Sequence, residues 1–382
     1  AAPVRIEFTD YTVLYDPSAQ GMRANSAYAV LTQGTLELVF TGPIEDDEAG
    51  TIPFLTETRD WGKSWSKPRV FGAEFSKESS DPDHRPSIFL APFGPTPAGT
   101  ILSVGYRVGK GVNLKTVKED MRWRSSSALV GRRPKSSQTF SYTNYAPGTF
   151  LGEQFAYPGL VAGNRIILQI WGAGRQGENW QCGVLLSDDD GRTWRYRQVG
   201  YEPSPGIRDD PKTAAGFNEQ TLFRTRGGEI VSIIRGREKL GRVASSSKDT
   251  WFFRSVSRDN GESWSKPELT DLPGTGAPTS GLTLPDGSLL MAARIPWSRT
   301  LGVPIDHGSF GLQFARSYDG GKTWRTEHVI QKDPQGRNFD NYYNTMNGEF
   351  IQTGPREWRY IFGQFDVKHS VHRILSLQVK VE

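Results

Sequence analysis

The chain of 382 residues has a single cysteine, Cys182, so no internal disulfide can form and no thiolate metal site can be assembled. The apolar run around it, Cys182-Gly183-Val184-Leu185-Leu186, gives it the expected role of a small buried residue. No stretch approaches the ~18 consecutive apolar residues that a membrane-spanning helix needs. Blocks of like charge are missing too: 46 Lys and Arg are interleaved with 42 Asp and Glu for a net charge of +4, which gives a nucleic-acid-binding tail no support. No long segment carries helical periodicity with caps, and no Asn-x-Ser/Thr sequon occurs. The five histidines are scattered without metal-ligand spacing, so neither a metal nor another cofactor is expected. The chain opens Ala1-Ala2-Pro3 without a methionine, like the mature side of a cut signal peptide. A secreted or periplasmic protein is therefore expected.

What is present is turn and strand chemistry. Aromatics make up 12% of the chain with 11 Trp, and 42 Gly and 24 Pro supply many turns. One motif recurs four times: Thr58-Arg-Asp60-Trp-Gly62-Lys-Ser-Trp65, Ser187-Asp-Asp189-Asp-Gly191-Arg-Thr-Trp194, Ser257-Arg-Asp259-Asn-Gly261-Glu-Ser-Trp264 and Ser317-Tyr-Asp319-Gly-Gly321-Lys-Thr-Trp324. The Asp can accept from backbone N–H groups two or three residues on, the Gly supplies a positive φ, and the Trp can lie across the hairpin that the turn closes. Strand-like runs precede each copy: Ile52–Thr56, Val184–Leu186, Trp251–Val256 and Phe310–Ala315. The Trp positions lie 129, 70 and 60 residues apart, which fits one motif per repeat of roughly 60 residues, with one repeat lacking it.

Radial repetition of such hairpins predicts an all-β fold: a six-bladed β-propeller of four-stranded antiparallel sheets, with seven blades as the alternative, formed by residues 1–382 as one catalytic domain. The blades are placed at roughly 20–70, 71–125, 126–205, 206–268, 269–330, and 331–382 completed by the N-terminal strand Val4–Leu14. Gly172-Ala-Gly174-Arg-Gln-Gly177 matches a dinucleotide fingerprint, but a strand follows where a helix is required, so it is a hairpin loop. His369 and His372 read as surface or satisfied polar residues of a C-terminal strand.

The four motifs resemble the Asp boxes of the sialidase (neuraminidase) superfamily, and the order of features from about residue 20 to 365 is similar to a sialidase catalytic domain. The resemblance implies an exo-acting glycoside hydrolase with a tyrosine nucleophile, acting on the axial face away from the Asp boxes. It assigns Arg23, in Met22-Arg23-Ala24-Asn25-Ser26, and Arg235, after Ile233-Ile234, to a clamp on the substrate carboxylate. It assigns Asp47, with Asp46 as the alternative, to acid/base work, Glu219 of Asn218-Glu219 to polarising the tyrosine, and Tyr343, with Tyr342 as the alternative or as a binding residue, to nucleophilic attack. A third clamp arginine is missing where His307-Gly308-Ser309 stands, although Arg294 and Arg299 lie near in sequence. The expected partner is an anionic oligosaccharide or polysaccharide bound by a monomer, with no nucleic acid and no membrane span.

The chemistry is coherent on its own terms. A phenol titrates near pH ~10, so a nucleophilic Tyr needs a carboxylate to take or share its proton. A neutral nucleophile also avoids repulsion where the anomeric carbon carries an anionic group. Two rivals use the same scaffold. A lyase on uronate-containing glycans would draw on His84 or His307 with a Tyr, and on Arg85 to neutralise the uronate. A lectin would bind glycan without turnover.

Overall fold

The structure is a computed structural model, and it describes residues 3–24, 26–42, 52–72, 87–108, 126–145, 154–173, 180–200, 216–237, 251–273, 278–294, 311–339, 347–366 and 369–382. Nearly all of it is strand. In chain order these are β1 (Ile6–Tyr15), β2 (Ala27–Thr32), β3 (Thr35–Gly42), β4 (Ile52–Thr58), β5 (Arg69–Val70), β6 (Ser87–Phe93), β7 (Ile101–Val108), β8 (Ser127–Arg133), β9 (Ser141–Tyr145), β10 (Gln154–Ala162), β11 (Arg165–Ala173) and β12 (Trp180–Ser187). They continue with β13 (Arg195–Gly200), β14 (Gly216–Arg224), β15 (Ile230–Arg237), β16 (Trp251–Ser257), β17 (Glu268–Pro273), β18 (Pro278–Thr283), β19 (Leu289–Arg294), β20 (Leu312–Ser317), β21 (Arg325–Ile330), β22 (Gly348–Gly354), β23 (Glu357–Asp366) and β24 (Val371–Val381). One 3-10 turn, Pro17–Gln20, is the only helical element among the described residues.

The strands form a β-propeller arrangement of antiparallel four-strand sheets: β2–β5, β6–β9, β18–β21, and β22–β24 with β1 outermost. A fifth sheet has eight strands in two four-strand halves, β10–β13 and β14–β17. These are joined by a single parallel pair, Trp180 opposite Gly216. A Cβ on Gly216 would stand 2.2 Å from the Trp180 carbonyl oxygen, and its φ is +123°, so only glycine allows this junction.

Apolar cores lie between neighbouring sheets. Phe223, Val231 and Ile233 pack with Leu289, Met291 and Ala315. The first and last sheets share one core, in which Leu36, Leu38 and Phe40 meet Ile351, Ile361 and Ile374. β1 pairs antiparallel with β24 from Ile6–Val381 to Tyr15–Ile374, as expected for the N-terminal strand. The placement of 126–205 in one repeat is corrected: β8 pairs with β7 and β9 with β8, so residues 127–145 complete the sheet begun by β6. That sheet carries no motif, which removed the signal that phases the four runs that have one.

The four motif turns share one construction. In the third, Ser263 N–H donates to Asp259 Oδ1 at 2.8 Å, its hydroxyl to Oδ2 at 2.5 Å, and Ser257 Oγ to Oδ1 at 2.8 Å. In all four turns the Asp accepts from the N–H four residues on, and in the second and fourth Asp189 and Asp319 also accept from the N–H three residues on, at 3.1 Å. Asn260 and Gly261 both take positive φ, 59° and 93°. A Cβ on Gly261 would press on Leu186 of the preceding half-sheet, so the turn is also a packing contact between sheets. The hydroxyls of Ser64 and Ser263, followed by their backbone N–H groups, pull the Asp60 and Asp259 carboxyls down to about 2.

Candidate functional site

The strands β2, β6, β10, β14, β18 and β22, each first in its four-strand run, line a central cavity of about 210 Å³. None of the motif aspartates borders it. On its wall β14 carries a register shift between Phe217 and Gln220, which places Asn218 and Glu219 in a bulge. The Phe217 ring sits edge-on against Phe253, 5.1 Å between centroids, and fixes the start of that strand. Gln220 is committed to the scaffold: its Nε2 donates to Gly183 O at 2.6 Å, and Ser232 Oγ donates to its Oε1 at 2.6 Å. Glu219 faces the cavity and pairs with Arg235 of the adjoining strand, Nη1 to Oε2 at 2.5 Å, with side chains 17% and 19% exposed. A short charge-assisted bond of this kind fixes the carboxylate in place.

Arg294, at the end of β19, is buried and donates from Nη2 to Oδ1 of Asn347 at 3.3 Å; Asn347 lines the cavity. An arginine near the missing clamp position thus reaches the cavity wall through an intermediary. Arg23 is exposed and is not among the lining residues; its charge bears on His372 of β24, whose pKa is lowered first by burial and then by that arginine. The structure therefore brings Glu219 and Arg235 together and leaves Arg23 at the surface. His369 pairs with Asp366 at 2.8 Å, in keeping with a satisfied polar residue. His372 is instead buried, 4.7 Å from the Phe365 ring, with its Nδ1 lacking a hydrogen-bond partner among the described residues, which corrects the expectation for it. Asp46, Asp47, His84, Arg85, Arg299, His307, Tyr342 and Tyr343 fall outside the described residues.

Sequence reasoning missed Glu349. It sits on β22 between Gly348 and Phe350, partly buried as a residue, and faces the cavity. Its Oε1 accepts from Ala29 N–H at 2.5 Å, a bond from the last sheet to the first. Burial pushes its carboxyl up to about 8. The available signal was an acid inside a strand that opens a four-strand run, where the side chain must face the axis or a neighbouring sheet. Among the described residues no group of three or more His, Cys, Asp or Glu could hold a metal ion, and no helix is long and apolar enough to cross a membrane.

The fold is a β-propeller, and the comparisons with known proteins support a place in the sialidase superfamily. A sialidase from Paraclostridium sordellii is 26% identical over 195 residues, 46% of this chain and 44% of that relative, so the match spans less than half the length of either. Among solved structures, a protein of unknown function from Dyadobacter fermentans superposes with a TM-score of 0.68 at 17% identity, covering 99% of both chains. A Hadza microbial sialidase gives 0.68 at 12% identity over 97% of this chain and 68% of that one. The chain belongs to the BNR repeat-like domain family, whose family model matches residues 138–360.

Proposed function

We propose that residues 1–382 form one catalytic propeller of six blades, the eight-stranded sheet counting as two, and that it is an exo-acting, sialidase-like glycoside hydrolase. It removes a terminal acidic sugar with retention. Tyr343 attacks the anomeric carbon, Glu219 takes the phenolic proton, and Asp47 protonates the leaving oxygen and later activates water. Arg235 serves the substrate carboxylate, with Arg294 acting on the cavity wall through Asn347.

The observation that carries this reading is Glu219 on the cavity wall, held in place by Arg235 of the adjoining strand. A carboxylate locked by a guanidinium keeps its orientation, as a proton acceptor for a phenol must. The sialidase relatives and the family membership support the same chemistry.

The test is turnover of a methylumbelliferyl N-acetylneuraminide by the parent protein and by Tyr343→Phe. The expected result is a loss of orders of magnitude in kcat with folding intact, and labelling of Tyr343 by a fluorosugar. If both Tyr343→Phe and Tyr342→Phe remain active and His84→Ala is dead, with unsaturated uronate released from a glycan panel, a lyase replaces the hydrolase. Binding without any turnover makes the protein a lectin.

A further inference from the structure

Glu349 is the one lining carboxyl for which the proposed chemistry has no use. Its Oε1 is occupied by the Ala29 N–H, and among the described hydrogen bonds none reaches Oε2. Most other polar side chains of the wall are engaged: Gln169 donates to Pro158 O at 2.6 Å, Gln220 is bonded at both ends, Asn347 holds Arg294, and Ser280 Oγ accepts from Phe350 N–H.

Among the described residues none that lines the cavity is a Lys, Arg or His. The ionisable groups facing Glu349 are Tyr28 from β2, Tyr157 from β10 and Glu219 from β14, the last already held by Arg235 of β15. From β19, Arg294 stands behind Asn347; β6 and β18 contribute none. An enclosed carboxyl with no cation on its wall keeps its proton, and burial indeed holds this one up to about 8. With Oε1 accepting from Ala29, the proton belongs on Oε2.

The geometry points to Glu349 as a specificity-determining residue that, uncharged, donates from Oε2 to a hydroxyl or acyl oxygen on the uncharged part of the sugar. The ligand class is a neutral polyhydroxylated segment. Arg235 is already paired with Glu219, so a second anion beside Glu349 would go unmatched and the acidic group of the substrate binds away from Glu349. Loss of the proton replaces a donor with a buried negative charge and weakens binding as pH rises.

This inference rests on the hydrolase reading, and the experiment separates the two. KM and kcat are measured from pH 5 to pH 9.5 on methylumbelliferyl N-acetylneuraminide for the parent, E349Q and E349M. Gln keeps an acceptor for Ala29 and a donor for the cavity at every pH. The parent is expected to show KM rising roughly tenfold or more through the titration of Glu349, E349Q a flat KM, and E349M a KM raised roughly ten- to hundredfold at pH 6 with kcat little changed. An unaltered alkaline rise in E349Q, or a normal KM in E349M, overturns the assignment while the hydrolase stands. A parent that turns over nothing overturns the hydrolase and this inference with it. Carboxyl carbon NMR of glutamate-labelled parent, with and without the substitution, reads Glu349 directly even if E349M fails to fold. Titration in the ordinary carboxylate range overturns the proposal.

Discussion

Asp286 and Arg316 grip the two sides of one residue near the N-terminus. Asp286 Oδ2 accepts from Val4 N–H at 3.0 Å, Arg316 Nη1 donates to Val4 O at 2.9 Å, and the two side chains close on each other at 2% and 3% exposure. Asp286 lies in the turn between β18 and β19 and Arg316 on β20, so this clasp ties the approach to β1 onto the neighbouring sheet. Arg316→Met should destabilise by about 3–5 kcal/mol, because it strands a buried carboxylate. The paired change Asp286→Asn with Arg316→Met should cost less than the sum of the single changes. Urea midpoints of the four proteins check this; strict additivity would show that the pair is not coupled.

Asp259→Ala should lower stability by about 1–2 kcal/mol through the lost Ser257 and Ser263 bonds, leaving KM and kcat within experimental scatter. The motif turn stands apart from the cavity, so a large kinetic effect would contradict a purely structural role.

Arg235→Lys should reduce kcat/KM by about 1–3 kcal/mol equivalent, since an ammonium on a flexible stem cannot hold Glu219 as the guanidinium does. Glu219→Gln should do at least as much, and the double variant little more than the worse single one. Additive losses would mean that the two residues act separately.

Glu349 should make stability fall as pH rises between about 5 and 8, against the opposite pull of His328 and His372, whose pKa values burial lowers. Glu349 holds its proton in the folded chain up to about 8, well above the value of an unfolded glutamate, so folding takes up a proton throughout that window. The slope is at most about 1.4 kcal/mol per pH unit, and E349Q should flatten it. Below about pH 4 the sign reverses. Asp60 and Asp259, held down at about 2, lose their stabilising charge as acid is added. Denaturant midpoints across the pH series, parent against E349Q, give the answer, and equal slopes from 5 to 8 would refute it.

Most strands were legible from alternation and turn residues. Gln33-Gly34 marked the β2–β3 hairpin, where both take positive φ, and the four motif turns marked the third-to-fourth strand connections in the sheets that have them. The sheet β6–β9 was misphased because its corresponding connection carries no such turn. In the site, Glu219 and Arg235 were legible through the family resemblance, as a tyrosine-polarising acid and a clamp arginine, but their mutual pairing was not, since it depends on a bulge that pattern alone does not announce. Glu349 was not legible at all. A single acid in Asn347-Gly348-Glu349-Phe350 looks like a solvated strand residue until the ring is closed around it.

The pairing of β1 with β24 sets the order in which the chain can mature. β1 leaves the ribosome ahead of β2–β24, yet its hydrogen-bonding partner is not made until Val371–Val381 has been synthesised. Loop closure across so long a separation is entropically costly and slow, so the intervening sheets can assemble while the ring stays open. An N-terminal strand waiting through synthesis presents an unpaired edge to any neighbouring nascent chain. The Val4 clasp, reached only when β18–β20 exist, then serves as a mooring that holds β1 beside the place where its partner will emerge.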